Sequence, residues 1–342
     1  MKVMKFGGSS VADATRISRV IDIVAHEHEQ ERVCAVFSAM KGVTDQLLDA
    51  SREAAAGFAG FTERVEAVRD TYAQSAGDLC AGDAALASQV ESMCEELGEL
   101  LHGVYLVREC TARTQDLIVG FGERLNCSYG LIRDVLVGDD LPVVTGFVAA
   151  TGSGVTTTLG RNGSDYTASI VGAGADASVI EIWTDVDGVY SADPRFVTDA
   201  FVLPEISYQE AMELSYFGAK VIHPYTMVPA VEQGIPLRIK NTLNPDAVGT
   251  LIAAHTSSRS EFITGIASVE SVALINVEGG GMVGLPGVAG RIFTALANAK
   301  INIIMISQAS SEHSICFVIP DHDADRAARA LDDKLSRELS RR

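Results

Sequence analysis

The sequence predicts an α/β fold with a mainly parallel sheet, followed by a small second unit of the split βαβ type. Three observations predict it. Short apolar, β-branched runs alternate with segments of helical periodicity. Glycine-containing loops follow several of those runs. A polar, turn-rich stretch, "AHTSSRSE" (254–261), then separates this pattern from a compact β-α-β-β-α order.

The elements follow in order. "VMKF" (3–6) reads as a short buried strand. A helix comes next, with Ile17, Val20, Ile21 and Val24 on one face at i, i+3, i+4 and i+7. "VCAVF" (33–37) is a second strand. Residues 45–109 are helical and rich in Ala and Glu, and Val90, Met93, Leu97, Leu101 and Val104 form a packing stripe in their second half. "LPVVTGF" (141–147), "VTTTL" (155–159) and "SVIEIW" (178–183) are β-branched strands, with a helix from near Ser164 between the last two. Beyond the linker come strand "VALINVE" (272–278), glycine loop "GGGMVGLPGVAG" (279–290), helix "RIFTALANA" (291–299), strands "INIIMISQ" (301–308) and "HSICFVI" (313–319), and a helix from about Asp323.

Bulk properties narrow the function. The 342 residues suffice for two domains, and 47% apolar with 21% charged residues is the balance of a chain that buries a core. The net charge of −18 argues against a nucleic-acid or anionic-membrane surface, since both need a basic footprint. The six cysteines form no C-x-x-C pair and read as reduced thiols. Gly-Gly-Ser-Ser interrupts any signal-peptide core, and no run reaches the ~18 apolar residues of a membrane span, so a cytoplasmic protein is expected.

The chemistry starts at "MKVMKFGGSS" (1–10). Gly7 and Gly8 permit close backbone approach to a ligand, and the helix behind them is expected to aim its positive N-terminus there. Lys5 leads into this nest, which suits a phosphate chain; a turn beside a solvated lysine is the competing reading. "SAMKGVTD" (38–45) follows the second strand at its C-terminal end, where open α/β sheets bind ligands. "TTTLGRNGSDYTA" (156–168) presents Arg161 between glycines, and Ser164 and Asp165 at a helix start, either as ligand contacts or as caps. "WTDVDGVYSADPR" (183–195) is a nucleotide loop or a plain acidic turn. No G-x-x-x-x-G-K-[ST] occurs, which excludes a P-loop at the motif level, and the 279–290 loop lacks the acidic residue a dinucleotide site would place after it.

Five motifs in order, "KFGGSSVAD", "FGERLN", "LGRNGSDYTA", "IWTDVDGVYSADPR" and "ELSYFGAKVIHP", resemble those of the aspartokinases. The wording "MELSYFGAKVIHP" with "SQASSEHSI" is most similar to the kinase half of the bifunctional aspartokinase–homoserine dehydrogenases. The resemblance implies the amino-acid-kinase fold, a mainly parallel sheet sandwiched by helices, over residues 1–255, and a small α+β ACT-type regulatory domain over 262–342, one module complete and the second truncated. It implies transfer of the γ-phosphoryl of ATP to the β-carboxylate of L-aspartate, with Mg2+ held mainly through phosphates. Lys5 and Asp165 are then catalytic. Thr44, Glu123, Arg161 and Ser164 bind aspartate. Gly7, Gly8, Ser9, Ser38, Thr184, Asp185, Tyr190, Arg195 and Lys220 hold the nucleotide. Asn302 and Gln308 are the expected effector contacts, for threonine or lysine, in a homo-oligomer joined through the ACT domain.

Two departures qualify the match. Only "CSYGLIRDVLVGDD" (127–140) stands where the family carries a longer strand–helix segment. The strand around "FITGIA" (262–267), which completes the second ACT module in the family, is expected as an unpaired edge, so the chain reads as a piece of a longer protein. The rival readings are a kinase acting on glutamate or acetylglutamate, a non-catalytic amino-acid sensor on the same scaffold and, last, a dehydrogenase, for which a nicotinamide site is missing.

Overall fold

In the computed structural model, which describes residues 1–80, 83–128, 141–160, 162–216, 222–256, 263–279, 286–308 and 314–339, the chain divides into two units, Met1–Ala267 and Ser268–Arg342. β1 (Lys2–Phe6) and β2 (Val33–Phe37) are apolar throughout because each is buried on both faces of a parallel sheet. Between them α1 (Ala14–Gln30) starts at Asp13, whose carboxylate accepts the Arg16 N–H at 2.9 Å. Its buried face is Ile17, Val20, Ile23 and Val24. Ile21, expected on that face, is only half-buried because the contact with the sheet is centred further round the helix.

The long helical stretch resolves into α2 (Val43–Ala56), α3 (Phe61–Leu79) and α4 (Ala84–Val107). Gly57, at φ 77°, ends α2 in the left-handed cap geometry that favours glycine. The predicted stripe of Val90, Met93, Leu97, Leu101 and Val104 is buried in one cluster with Leu47, Val68 and Phe121. α5 (Ala112–Val119) and α6 (Phe121–Ser128) follow as one run broken at Gly120.

Three short strands come next: β3 (Val143–Thr145), β4 (Val148–Ala150) and β5 (Thr156–Thr158). β4 and β5 pair antiparallel as a separate two-stranded sheet. After them lie α7 (Gly163–Gly174), β6 (Val179–Thr184), β7 (Glu205–Ser207), α8 (Tyr208–Tyr216), α9 (Pro224–Gln233), β8 (Leu237–Asn241) and β9 (Thr250–Ala253). The main sheet runs β3-β2-β1-β6-β8-β9-β7. Every neighbouring pair is parallel except β8–β9. One face packs on α1 through Met4, Phe6, Phe37 and Trp183, and the other buries Val3, Val36, Ile180 and Ile239 with Ala168 of α7 and Met227 of α9.

Residues 129–140 lie outside the described residues, and β3 closes that edge as a half-buried strand. The "FITGIA" segment departs from expectation. Residues 263–267 form no strand, and Ile266 N–H donates to Ser191 O at 2.8 Å while Thr264 Oγ1 donates to Glu210 at 2.5 Å. Two specific bonds within the first unit hold this stretch where an unpaired edge strand was expected.

The second unit contains β10 (Val272–Glu278), α10 (Val288–Asn298), β11 (Met305–Gln308), β12 (Ser314–Pro320) and α11 (Ala324–Leu339). Its antiparallel sheet runs β10-β12-β11 and buries Ile315, Phe317 and Ile319 against Ile292 and Leu296 of α10 and Ala327 of α11. α10 begins ahead of Arg291 because Gly287, at φ 87°, turns the chain into it.

Candidate active site

Parallel strands place their C-terminal ends along one rim of a sheet, and loops leave from there. β1 is central, registered with Lys5 opposite Val36 and Ile182. The Lys5 side chain therefore leaves the middle of the rim. Its Nζ lies 2.5 Å from Asp165 Oδ1, with side chains only 11% and 10% exposed. Two charges withdrawn this far from water persist because each has its opposite in contact.

Asp165 stands in the first turn of α7. The helix is entered through Asn162 at φ 55°, with no side-chain capping bond, so neither Ser164 nor Asp165 serves as the cap. Both are buried at the helix start. Ser164 packs so closely on Gly146 that a Cβ there would sit 2.6 Å from the serine Cβ.

Glu123 approaches from α6 and is 3% exposed. Its Oε1 accepts the Ala39 N–H at 3.2 Å, while Oε2 is buried without a partner. Burial pushes this carboxyl up to about 7, against the Ala39 N–H and the charge of Lys5, which both pull it down. α6 comes this close because residue 122 is glycine: a Cβ would lie 2.8 Å from Ala39 Cβ. Tyr72 secures the position by donating its hydroxyl to Gly122 O at 2.8 Å.

The glycine loop differs in one respect from expectation. Gly8 does lie against a neighbouring loop, with its would-be Cβ 2.9 Å from Ala39 O, and Gly7 N–H donates to Trp183 O at 3.1 Å. The helix behind, however, starts only at Ala14, with its N-terminus taken by Asp13. The intervening turn, in which Ser10 N–H bonds Gly7 O and Arg16 donates to Ser9 O at 2.6 Å, separates the helix end from the glycines. The first turn of α7 is the helix start beside Lys5.

Ser38 follows β2, its N–H on Phe6 O at 3.1 Å, and Thr44 lies in the first turn of α2 behind Gly42 at φ 82°. Thr184 ends β6, and its hydroxyl donates to Asp185 at 3.3 Å. Tyr190 bridges Val202, further along the loop. Arg195 is turned onto Asp193, with Nη2 to Oδ2 at 2.6 Å, and both are on the same loop. Arg161 and Lys220 lie outside the described residues. Asn302 and Gln308 are exposed, before and at the end of β11 in the second unit.

The sequence reading missed a polar brace at the same rim. Asp187 accepts from Asn241 Nδ2 at 2.8 Å and Asn244 Nδ2 at 3.1 Å. Ser10 and Thr242 hydroxyls meet at 2.7 Å, and the Lys240 ammonium stands 4.7 Å from the Trp183 ring centroid. The position of "KN" at the C-terminal end of a parallel strand was the available signal.

The site thus offers one buried cation, a carboxylate paired to it, and a second carboxylate with an unmet acceptor. That set can neutralise an anion and receive an ammonium.

Comparison with known proteins gives a consistent answer. Residues 1–241 match the amino acid kinase family, and residues 275–335 match the ACT domain. A bifunctional aspartokinase/homoserine dehydrogenase 2, chloroplastic, from Arabidopsis thaliana is 36% identical over 385 residues, covering 98% of this chain and 42% of its own length. The chain therefore spans less than half of that relative. The crystal structure of E. coli aspartokinase III with aspartate and ADP is similar at a TM-score of 0.70 and 26% identity, over 98% of this chain and 99% of that one. The same E. coli enzyme with lysine and aspartate gives a TM-score of 0.76 at 27% identity, over 93% and 79%.

Proposed function

The chain belongs to the amino acid kinase family, and on that premise we propose that its first unit is an aspartate kinase that moves the γ-phosphoryl of ATP onto the β-carboxylate of L-aspartate, giving 4-phospho-L-aspartate and ADP. The observation that carries the reading is the buried Lys5–Asp165 pair beside the half-satisfied Glu123. The E. coli structure with aspartate and ADP supports the choice of ligands.

The physical task is to bring two anions together and hold them in line, so positioning and charge neutralisation dominate. Lys5 faces the transferring phosphoryl, where charge spreads over the equatorial oxygens, and Asp165 fixes the ammonium in place. The substrate carboxylate is ionised at neutral pH and needs no general base. Glu123 Oε2 receives the substrate ammonium, whose charge ionises the carboxyl on binding. Arg161 takes a substrate carboxylate bidentately, with Thr44 and Ser164 beside it. Gly7, Gly8, Ser9 and Ser38 line the phosphates, and Thr184, Asp185, Tyr190, Arg195 and Lys220 the rest of the nucleotide. For Arg195 this requires release from Asp193.

Among the described residues no three His, Cys, Asp or Glu side chains converge on a metal site. The single carboxylate at Lys5 fits a magnesium ion held chiefly by phosphate oxygens and water, where it would neutralise phosphate charge.

The second unit is assigned an amino-acid effector and homo-oligomer contacts. Threonine or lysine is the effector class, the latter being present in the E. coli complex. The five cysteines whose side chains are described are unpaired, which suits a reducing, cytoplasm-like compartment. Among the described residues no helix is long and apolar enough to cross a membrane.

The deciding assay measures ADP release with L-aspartate, with L-glutamate and with no amino acid, and traps the acyl phosphate with hydroxylamine. Release and hydroxamate with aspartate alone are expected. Turnover with glutamate would replace the substrate, and no turnover together with saturable threonine or lysine binding would make the chain a sensor.

A further inference from the structure

Asp116 takes no part in the site described above, yet it makes more side-chain bonds to a neighbouring element than a helix-surface carboxylate needs. It sits on α5, half-buried. Its Oδ2 accepts the Thr157 hydroxyl at 2.7 Å and the Thr158 N–H at 3.2 Å, and its Oδ1 accepts the Thr158 hydroxyl at 2.9 Å. Both carboxylate oxygens are therefore committed to consecutive residues of β5, in a fork that only a planar acceptor with two oxygens can complete.

What lies on either side of this fork gives it meaning. β5 leads directly into Leu159, Gly160 and the turn that delivers Ser164 and Asp165. Leu159 N–H bonds Phe147 O at 2.8 Å, and Gly163 leaves room for the Phe147 ring, 2.7 Å from where its Cβ would stand. Phe147 itself is held at φ 65°, its N–H bound to Thr167 Oγ1 of α7 at 3.0 Å. On the other side, α5 continues through Gly120, whose N–H bonds the Asp116 carbonyl at 3.1 Å, into α6 and Glu123.

We propose that Asp116 is a positioning residue for the phosphoryl-transfer site: it fastens the strand that launches the Ser164–Asp165 turn to the helical run that carries Glu123. The inference rests on the kinase reading. The two ends of the aspartate pocket come from different elements, and the Asp116 fork fixes the spacing between them. A substrate with an ammonium at one end and a carboxylate at the other measures that spacing directly. The three bonds of the fork join α5 and β5 and include no residue of the loop after β6, so ATP binding is expected to be independent of it.

The test compares Asp116→Asn, Thr158→Val and Thr158→Ser. Asp116→Asn keeps the shape but puts an amide where the threonine donors point. Thr158→Val removes a donor, and Thr158→Ser restores it. The aspartate KM is expected to rise ~10-fold or more in the first two variants, since a misplacement of ~1 Å can cost up to ~100-fold. It stays within about 2-fold of wild type in Thr158→Ser, and the ATP KM stays within about 2-fold in all three. Hydrogen exchange at the Leu159 and Gly163–Asp165 amides, measured without substrate, is expected to quicken in Asp116→Asn and Thr158→Val only. Equal rises in both KM values, or unchanged exchange, overturn the positioning role. Absence of wild-type turnover with aspartate would sink the kinase reading instead, and the exchange measurement would still judge the fork.

Discussion

At the scale of single residues the site is a contest between burial and charge, and the two carboxylates settle it differently. Asp165 keeps its partner: Lys5 Nζ is 2.5 Å away. Lys5→Ala is expected to lower kcat by ~100- to 1,000-fold, the cost typical of removing one stabilising group from a transition state, while the aspartate KM moves less than about 3-fold. Steady-state kinetics checks this, and a shift in KM alone would place Lys5 in ground-state binding. For Glu123 burial wins over the Ala39 N–H, its own backbone N–H and a neighbouring positive charge, pushing the carboxyl up to about 7 against an ordinary 4.5. A raised carboxyl pKa means the folded protein keeps a proton that the unfolded chain releases between those two values. Its contribution to stability is full below about 4.5 and is lost as pH rises through about 7. Glu123→Gln should therefore flatten that part of the stability profile and stabilise the unliganded protein above pH 7 by about 2–3 kcal/mol, read by urea unfolding. The opposite sign governs function: wild-type aspartate affinity should improve as pH rises toward 7, up to about tenfold per pH unit, because only the carboxylate can receive the ammonium. Calorimetric titration across pH 5.5–8 on the two proteins reads it, and a pH-independent wild-type affinity would remove Glu123 from the pocket.

At the scale of elements, glycine is the device that lets α6 reach the sheet rim. Two terms compete in Gly122→Ala: the helix gains up to about 1 kcal/mol of propensity, and overpacking costs typically 1–3 kcal/mol. The would-be Cβ lies 2.8 Å from Ala39 Cβ and 3.2 Å from Val43 Cγ1, so overpacking wins. A net loss of about 1–2 kcal/mol is expected by chemical denaturation, with a raised aspartate KM because the displaced Ala39 also holds Glu123. Gly103→Ala on α4, where nothing stands within 4 Å, should instead stabilise by up to about 1 kcal/mol. The same elements show how far the sequence could be read. β1 and β2 were legible because strands buried on both faces are apolar throughout, and the α4 stripe because burial there follows helical periodicity. β7 and β9, of 3 and 4 residues, were too short for any period to register. "VTTTL" was legible as a strand but not as half of a separate hairpin, since β-branched residues suit any sheet. In the site, Lys5 and Asp165 carried a motif, and Asp187 lay within one, but Asp116 and the Asn241 partner of Asp187 did not. A polar residue on a helix or at a strand end looks solvated until the neighbour that binds it is placed opposite. The helix dipole assigned to the glycine loop failed for a local reason, the Asp13 cap after an intervening turn.

At the scale of the whole molecule, the division into Met1–Ala267 and Ser268–Arg342 separates the proposed chemistry from the proposed regulation. All the proposed catalytic and aspartate-binding side chains lie in the first unit. The second offers a sheet whose outer strand, β11, is exposed at all four residues, including apolar Met305 and Ile306. Exposed apolar edge strands invite pairing, and proteins that avoid it place lysine there. With a net charge of −18, two copies also repel at long range, so any association needs such a short-range apolar and hydrogen-bonded contact. If β11 is the contact, Met305→Lys should disfavour it. Sedimentation at micromolar concentration should show a smaller species than wild type. The midpoint for inhibition by threonine or lysine should rise at least ~10-fold if the effector sits in that contact, as the positions of Asn302 and Gln308 around β11 suggest. Uninhibited turnover should stay within about 2-fold. An unchanged mass with a lost effector response would separate the effector site from assembly. A fall in uninhibited turnover would show that the first unit, which carries Lys5 and Glu123, depends on the second for its own chemistry, since Met305 belongs to the second unit alone.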